Sequence, residues 1–123
     1  FGEYDGYGPG EHTRDFIYVK DVVKVNFYFW EHPEISGIFN CGTGHAHQFN
    51  TLAKGVLKHF GSGELEYVPF PEVLKGKYQS FTQADTTNLL AAGYDGGFTP
   101  IEDAIAEYCA LLDKTGGYYV YER

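Results

Sequence analysis

The residue in this sequence best suited to bind an anionic ligand is Arg14. It follows a glycine- and tyrosine-rich stretch, residues 2–10, and stands directly before a short apolar run, residues 15–19. A guanidinium on a loop offers a rigid fork of donors that matches phosphate or ribose oxygens. The alternative is that Arg14 pairs with a neighbouring acid while Asp15 only caps a turn, and composition alone favours that alternative.

Other residues have suggestive spacing but lack a complete set of partners. His45 and His47 would share one face of a strand, as zinc ligands must, yet no third ligand stands at a suitable spacing. We therefore expect surface histidines and no metal site. Cys41 has no basic neighbour to activate it, so we expect a buried structural cysteine. The glycines of residues 6–10 lack the spacing and the preceding strand of a dinucleotide-binding turn.

The elements that must position these residues are predicted from apolar spacing and from Gly, Pro and capping residues. Strands are predicted where apolar side chains are continuous or alternate, at residues 15–19, 36–41 and 64–70. Helices are predicted where apolar residues recur every three or four positions, at residues 22–30, 50–60, 86–92 and 101–112. The predicted N-caps of the first three helices are Asp21, Asn50 and Asp85. The alternation of strands and helices predicts an α/β fold.

Length and charge limit the classes of partner. A chain of 123 residues with 43% hydrophobic residues has room for one compact unit. The net charge of −8 disfavours nucleic acid and anionic membranes as partners, although one local arginine can still hold a diphosphate. No apolar run approaches the roughly 20 residues that span a bilayer. Two cysteines in unrelated contexts indicate reduced thiols in a cytoplasmic protein.

Three segments together resemble a known group of enzymes. Residues 14–23 (RDFIYVKDVV) resemble the RDF signature of extended short-chain dehydrogenases that act on nucleotide sugars, and residues 39–44 (FNCGTG) resemble the FN-x-GTG element of the same superfamily. Residues 69–85 (PFPEVLKGKYQSFTQAD) resemble, far more specifically, the ADP-L-glycero-D-manno-heptose 6-epimerase family. The resemblance extends from residue 1 to about residue 112.

The resemblance implies that residues 1–114 form the C-terminal substrate-binding lobe of an extended Rossmann-type dehydrogenase, with the cofactor-binding domain missing. The tail, residues 115–123, stays unassigned. No G-x-G-x-x-G turn and no Tyr with Lys four residues later occur in the sequence, and Phe1 is an improbable natural start. We therefore expect a fragment without catalytic or cofactor-binding residues, whose NADP is bound by the absent N-terminal domain. The substrate-binding residues that the resemblance implies are Phe1, Gly2, Glu3, Tyr4, Arg14 and Tyr78.

The activity implied by the resemblance is inversion of C6 of ADP-heptose through oxidation and reduction by NADP, for lipopolysaccharide core synthesis. Arg14 is expected near the diphosphate and Tyr78 near the sugar. The full-length enzyme is expected to be a homo-oligomer, and the fragment alone is expected to be inactive and to self-associate through an exposed apolar surface. Two alternatives stay open: another nucleotide-sugar epimerase or dehydratase, and a non-catalytic nucleotide-sugar-binding domain.

Overall fold

The computed structural model describes residues 1–117, which form a small α/β unit with four helices and a two-stranded sheet. Residues 118–123 of the unassigned tail lie outside the described residues. In chain order the elements are β1 (Thr13–Arg14), α1 (Val19–Glu31), β2 (His47–Gln48), α2 (Phe49–Phe60), the 3-10 turn Glu72–Leu74, α3 (Thr87–Ala91) and α4 (Ile101–Thr115). The strands are antiparallel, with Thr13 opposite Gln48 and Arg14 opposite His47.

All four predicted helices are confirmed, because the signals that end them are local. Helix α1 stops before His32-Pro33, where proline disfavours the helical conformation of the residue before it. Helix α2 is closed by Gly61 in the left-handed conformation at φ 68°. Helix α4 begins directly after Pro100 and continues to Thr115, three residues beyond the predicted end.

All three predicted N-caps are wrong in position, because the residues at the cap positions are Tyr18, Gln48 and Thr86. Asp21 lies inside the first turn of α1, and its buried carboxylate accepts hydrogen bonds from Thr99 and from the Lys24 ammonium rather than from a backbone N–H of its own helix. Asn50 is the second residue of α2, and its amide donates to the Pro9 carbonyl. Asp85 does accept the Thr87 N–H at the start of α3, at 3.0 Å. The predictions for Asp21 and Asn50 fail for one reason: each side chain forms hydrogen bonds with a residue that is distant in sequence, Thr99 or Pro9.

The three predicted strands are also wrong. Residues 15–18, 36–41 and 64–70 carry no strand, and the only ladder within residues 1–117 joins the two-residue strands β1 and β2. A strand needs a neighbour for its N–H and C=O groups. Among the described residues, the backbone of residues 36–41 makes no hydrogen bond to another segment's backbone. Apolar composition alone was therefore insufficient to build a sheet here.

The core consists of two small clusters. Val25 of α1 packs with Leu89 and Tyr94 in the first. In the second, buried residues of α4 face α2, and Gly55 permits the close approach because a Cβ there would lie 2.7 Å from the Ile105 Cδ1 atom. The members of the second cluster are Ile101, Ile105 and Cys109, with Phe16, Leu52 and Val56 packed against them.

The outer face of α1 is apolar and exposed. Its large side chains are Val19, Val23, Phe27 and Trp30, with Trp30 75% exposed and stacked on the Phe27 ring at a centroid distance of 5.7 Å. An exposed apolar stripe of this kind is typical of a surface that another protein segment covers. None of the helices within residues 1–117 has the length and apolar content that crossing a membrane requires.

Candidate functional site

Arg14 lies at the end of β1, and its guanidinium is close to two aromatic rings. Its Cζ atom is 4.7 Å from the Tyr78 ring centroid and 5.8 Å from that of Phe49. One guanidinium nitrogen, Nη1, donates to the Thr13 carbonyl at 2.7 Å. No carboxylate among residues 1–117 forms an ion pair with Arg14. The alternative in which Arg14 pairs with a neighbouring acid is therefore wrong for the described part of the chain.

The two rings that the guanidinium lies over also line a pocket of about 210 Å³, although Arg14 itself is not one of the lining residues. The Phe1 ring meets the Tyr78 ring edge-on across 6.1 Å, so two of the predicted residues face the same space. The pocket is aromatic on most sides, and Arg14 stacks on two of the rings that form it. Its lining residues are Phe1, Gly10, His12, Phe49 and Tyr78. Such a site suits a ligand that has both a ring and an anionic group.

The other three predicted residues of the first segment lie beside the pocket rather than in its lining. The Gly2 N–H donates to the Val68 carbonyl at 2.8 Å, and Glu3 is exposed. Tyr4 stacks on Phe70 at 4.0 Å and its hydroxyl accepts the Gly76 N–H. The structure thus brings Phe1, Arg14 and Tyr78 together and gives Gly2 and Tyr4 contacts that shape the surrounding loops.

Two lining residues, His12 and Phe49, were missed by the sequence analysis. His12 is 2% exposed, with its ring stacked on Tyr7 and edge-on to Tyr78. Its Nε2 atom is buried and has no hydrogen-bond partner among the described residues. Because side chains two residues apart share a face of an extended chain, alternation with Arg14 was a signal that pointed to His12. Phe49 had no such signal.

The glycine-rich loop, residues 2–10, is tied to the start of α2 by Asn50. The Asn50 N–H donates to the Gly10 carbonyl, and its side-chain Oδ1 accepts the Tyr67 hydroxyl at 2.9 Å. Gly10 has φ 69°, and a Cβ there would lie 2.1 Å from Asn50 Oδ1, so only glycine fits. The Gly10 N–H in turn donates to the Phe1 carbonyl. This chain of contacts places Phe1 at the pocket.

Asp15, the residue after Arg14, joins its own segment to two others. Its carboxylate accepts four hydrogen bonds, from the Thr43 N–H and hydroxyl, the Gly44 N–H and the Ala84 N–H, all between 2.6 and 3.0 Å. Burial raises the pKa of Asp15, but the hydrogen bonds from Thr43, Ala84 and Gly44 outweigh it and hold the pKa below its ordinary value. A Cβ on Gly42 would lie 2.8 Å from Asp15 Oδ2, so glycine is required for this approach.

Among the described residues, the remaining candidates lack the neighbours that a reactive thiol or a bound metal ion needs. Cys41 is exposed, so the prediction of a buried cysteine is wrong, because its extended segment has no covering layer within residues 1–117. The sulfur atom is nevertheless partly shielded from water. This partial burial and the negative charge of Asp15 raise the pKa of the Cys41 thiol, which disfavours the thiolate. His45 and His47 belong to no group of three or more metal-ligating side chains among residues 1–117.

The glycine-rich loop does not form a nicotinamide-cofactor site. A dinucleotide-binding turn leads from a strand into a helix whose N-terminus holds the pyrophosphate. Here residues 6–10 lead into the short strand β1. The space beside Gly10, where a ligand could approach the backbone closely, is filled by the Asn50 side chain. This loop therefore does not fit the pyrophosphate of NAD or NADP.

A family model described as the NAD dependent epimerase/dehydratase family matches residues 3–42. The matched segment contains Arg14, Asp15 and the whole of α1. The match supports the enzyme group that residues 14–23 predicted, and that family as a whole uses a nicotinamide cofactor. Over residues 3–42 this chain is similar to the NAD dependent epimerase/dehydratase family.

Proposed function

We propose that this chain is the substrate-binding part of an ADP-glyceromanno-heptose 6-epimerase and that its aromatic pocket holds the nucleotide sugar. The observation that supports the proposal most directly is that Arg14 forms no ion pair within residues 1–117. In a chain with 17 acidic and 9 basic residues, this half-buried guanidinium has no acidic partner among residues 1–117. A cation kept apart from the protein's own carboxylates is available to a ligand's anionic group.

The geometry around Arg14 supports a diphosphate as that group. Rings stacked on the faces of a guanidinium leave the N–H donors at its edge available for oxygens. The pocket beside it has space for one ring of the ligand, and Tyr78 contributes a hydroxyl that donates no hydrogen bond within residues 1–117. A diphosphate on Arg14 with its sugar beside Tyr78 satisfies both groups.

The role proposed for these residues is recognition rather than chemistry. When bound, NADP would supply the transient oxidation and reduction at C6 of the heptose. The sequence has no Tyr with Lys four residues later, the pair that such hydride chemistry uses as acid and base. This chain alone is therefore expected to show no turnover of ADP-heptose with NADP. Measurable epimerisation by the isolated chain would contradict this part of the proposal.

Calorimetric titration of the chain with ADP-heptose and with UDP-glucose tests the ligand. We expect ADP-heptose to bind, UDP-glucose to bind more weakly, and Arg14→Gln to weaken ADP-heptose binding by at least about tenfold, since a charge-assisted contact is lost. Lys54→Gln, which removes an exposed charge on α2, is the matched control. Preference for UDP-glucose would favour another nucleotide-sugar epimerase or dehydratase. Equal binding by Arg14→Gln would exclude the proposed site.

A further inference from the structure

Phe49 is held rigidly beside Arg14. It is the first residue of α2, and its N–H donates to the His12 carbonyl at 3.1 Å. Its ring meets Phe16 edge-on, with the centroids 5.2 Å apart. Both the backbone and the ring of Phe49 are thus fixed against the segment that carries Arg14. The ring remains 37% exposed and lines the pocket.

The position of the Arg14 guanidinium depends on two rings. Its Cζ atom lies over Tyr78 at 4.7 Å and over Phe49 at 5.8 Å, and its one hydrogen bond within the described residues goes to a backbone carbonyl. An arginine without a carboxylate partner loses rotamer freedom when it binds a ligand. Rings that already restrict the side chain reduce that loss and so strengthen binding.

We infer that Phe49 is a positioning residue for Arg14. The rings of Phe49 and Tyr78 together hold the guanidinium so that its N–H edge meets the ligand's phosphate oxygens. The ligand in this inference rests on the proposed function. The restraint on Arg14 does not, because the ring contacts are made by residues of the chain itself. Since Phe49 acts through Arg14, its loss matters to the diphosphate only while Arg14 is present.

The restraint is tested without any ligand. The order parameter of the Arg14 Nε–H group, measured by NMR relaxation, is expected to fall in Phe49→Leu and to stay unchanged in Phe49→Tyr, which keeps the ring. Phe60→Leu is the matched control, because Phe60 is equally part of α2, is 48% exposed and contacts His59 at the far end of the helix. An unchanged order parameter in a folded Phe49→Leu variant would overturn the inference.

The effect on binding is tested by a double-mutant cycle with ADP as the probe. Phe49→Leu is expected to weaken ADP binding about three- to fivefold, the range of a cation–π contact at a partly exposed site. The double variant Arg14→Gln/Phe49→Leu should bind no more weakly than Arg14→Gln alone. Additive losses would mean that Phe49 does not act through Arg14. If the wild-type chain binds neither ADP nor ADP-heptose, the proposed function fails, and the order parameter still decides the role of Phe49.

Discussion

Asp15 and Asp21 lie six residues apart, and both hold separate parts of the chain together with a carboxylate. Asp15 is half-buried and accepts hydrogen bonds from neutral groups of Thr43, Gly44 and Ala84. Asp21 has no exposed surface and accepts from Thr99 and from the ammonium of Lys24 at 2.7 Å. The first carboxylate joins the segment that carries Arg14 to residues 43–44 and 84, whereas the second joins α1 to the segment that precedes α4.

The difference explains how a cation stays available in an acidic chain. Because backbone N–H groups and a hydroxyl satisfy Asp15, its charge is stabilised without Arg14, although the two residues are adjacent. Asp21 uses a lysine, and no ligand is proposed near it. A carboxylate that is stabilised by neutral donors thus preserves the neighbouring arginine for a ligand, which is the arrangement that the proposed function requires.

The largest effect on stability is expected at Asp21. Asp21→Ala removes a fully buried carboxylate and leaves the Thr99 N–H and hydroxyl without their acceptor, so the free energy of unfolding should fall by about 3 kcal/mol. Asp15→Ala should cost about 2 kcal/mol, since Asp15 is itself only half-buried and water can reach part of its site. Urea unfolding followed by circular dichroism measures both, with the exposed Asp95→Ala as control. A greater loss at Asp15 would reverse the comparison.

For ligand binding we expect the opposite order, with a larger loss of affinity in Asp15→Ala than in Asp21→Ala. Asp15→Ala releases residues 43–44 and 84 from the segment that carries Arg14, and we expect roughly fivefold weaker binding of ADP-heptose, as for a coupling of about 1 kcal/mol between neighbouring residues. Asp21→Ala should leave the affinity of the folded protein for ADP-heptose unchanged, because the partners of Asp21, Lys24 and Thr99, do not line the pocket. Calorimetry at a temperature where both variants are folded makes the measurement. Equal losses in the two variants would show that stability alone governs binding.

Acid should weaken the fold through both carboxylates. Burial raises the pKa of Asp21, but Lys24 and Thr99 outweigh it, so the pKa of Asp21, like that of Asp15, lies below its ordinary value. A lowered pKa in the folded state stabilises the protein above the unfolded-state pKa, about 3.9 for Asp. That stability is lost as the pH falls below about 4 and through the folded-state values. Urea midpoints between pH 5 and 3 should fall less steeply in Asp15→Asn than in wild type; parallel slopes would exclude Asp15 as a contributor.

The smallest effect is expected for Lys24→Gln. The lysine is 54% exposed, so water screens its ion pair with Asp21, and Thr99 still satisfies the carboxylate. We expect little change in the urea midpoint at low salt and none at high salt. A loss comparable to that of Asp21→Ala would show that Asp21 depends on its cation, unlike Asp15.

Local signals in the sequence were sufficient for the helices but not for the strands. Gly61 and Pro100 mark the boundaries of α2 and α4 by their own backbone preferences, and the structure confirms both. Residues 36–41 have strand-like composition, but strand formation depends on a partner that residues 1–117 do not provide. Asp21 was predicted as a cap because its true partner, Thr99, is 78 residues away.

The site shows the same division between local and distant information. Arg14 and Tyr78 were predicted through a family resemblance, and the structure places their side chains in contact across 64 residues of chain. Their role as substrate-binding residues stays a prediction. Phe49 was missed because nothing in its local pattern separates a pocket wall from an ordinary helix residue. Its importance depends on the pairing of β1 with β2, which places the start of α2 beside Arg14.

The exposed face of α1 has an optical consequence. Trp30 is the only tryptophan of the chain, and in the folded structure it remains 75% accessible beside Phe27. Its indole is therefore in water before unfolding as well as after it, and its emission wavelength is a poor indicator of folding. A shift of that emission to shorter wavelength would instead signal that another surface has covered α1, which makes Trp30 a built-in fluorescent reporter of assembly.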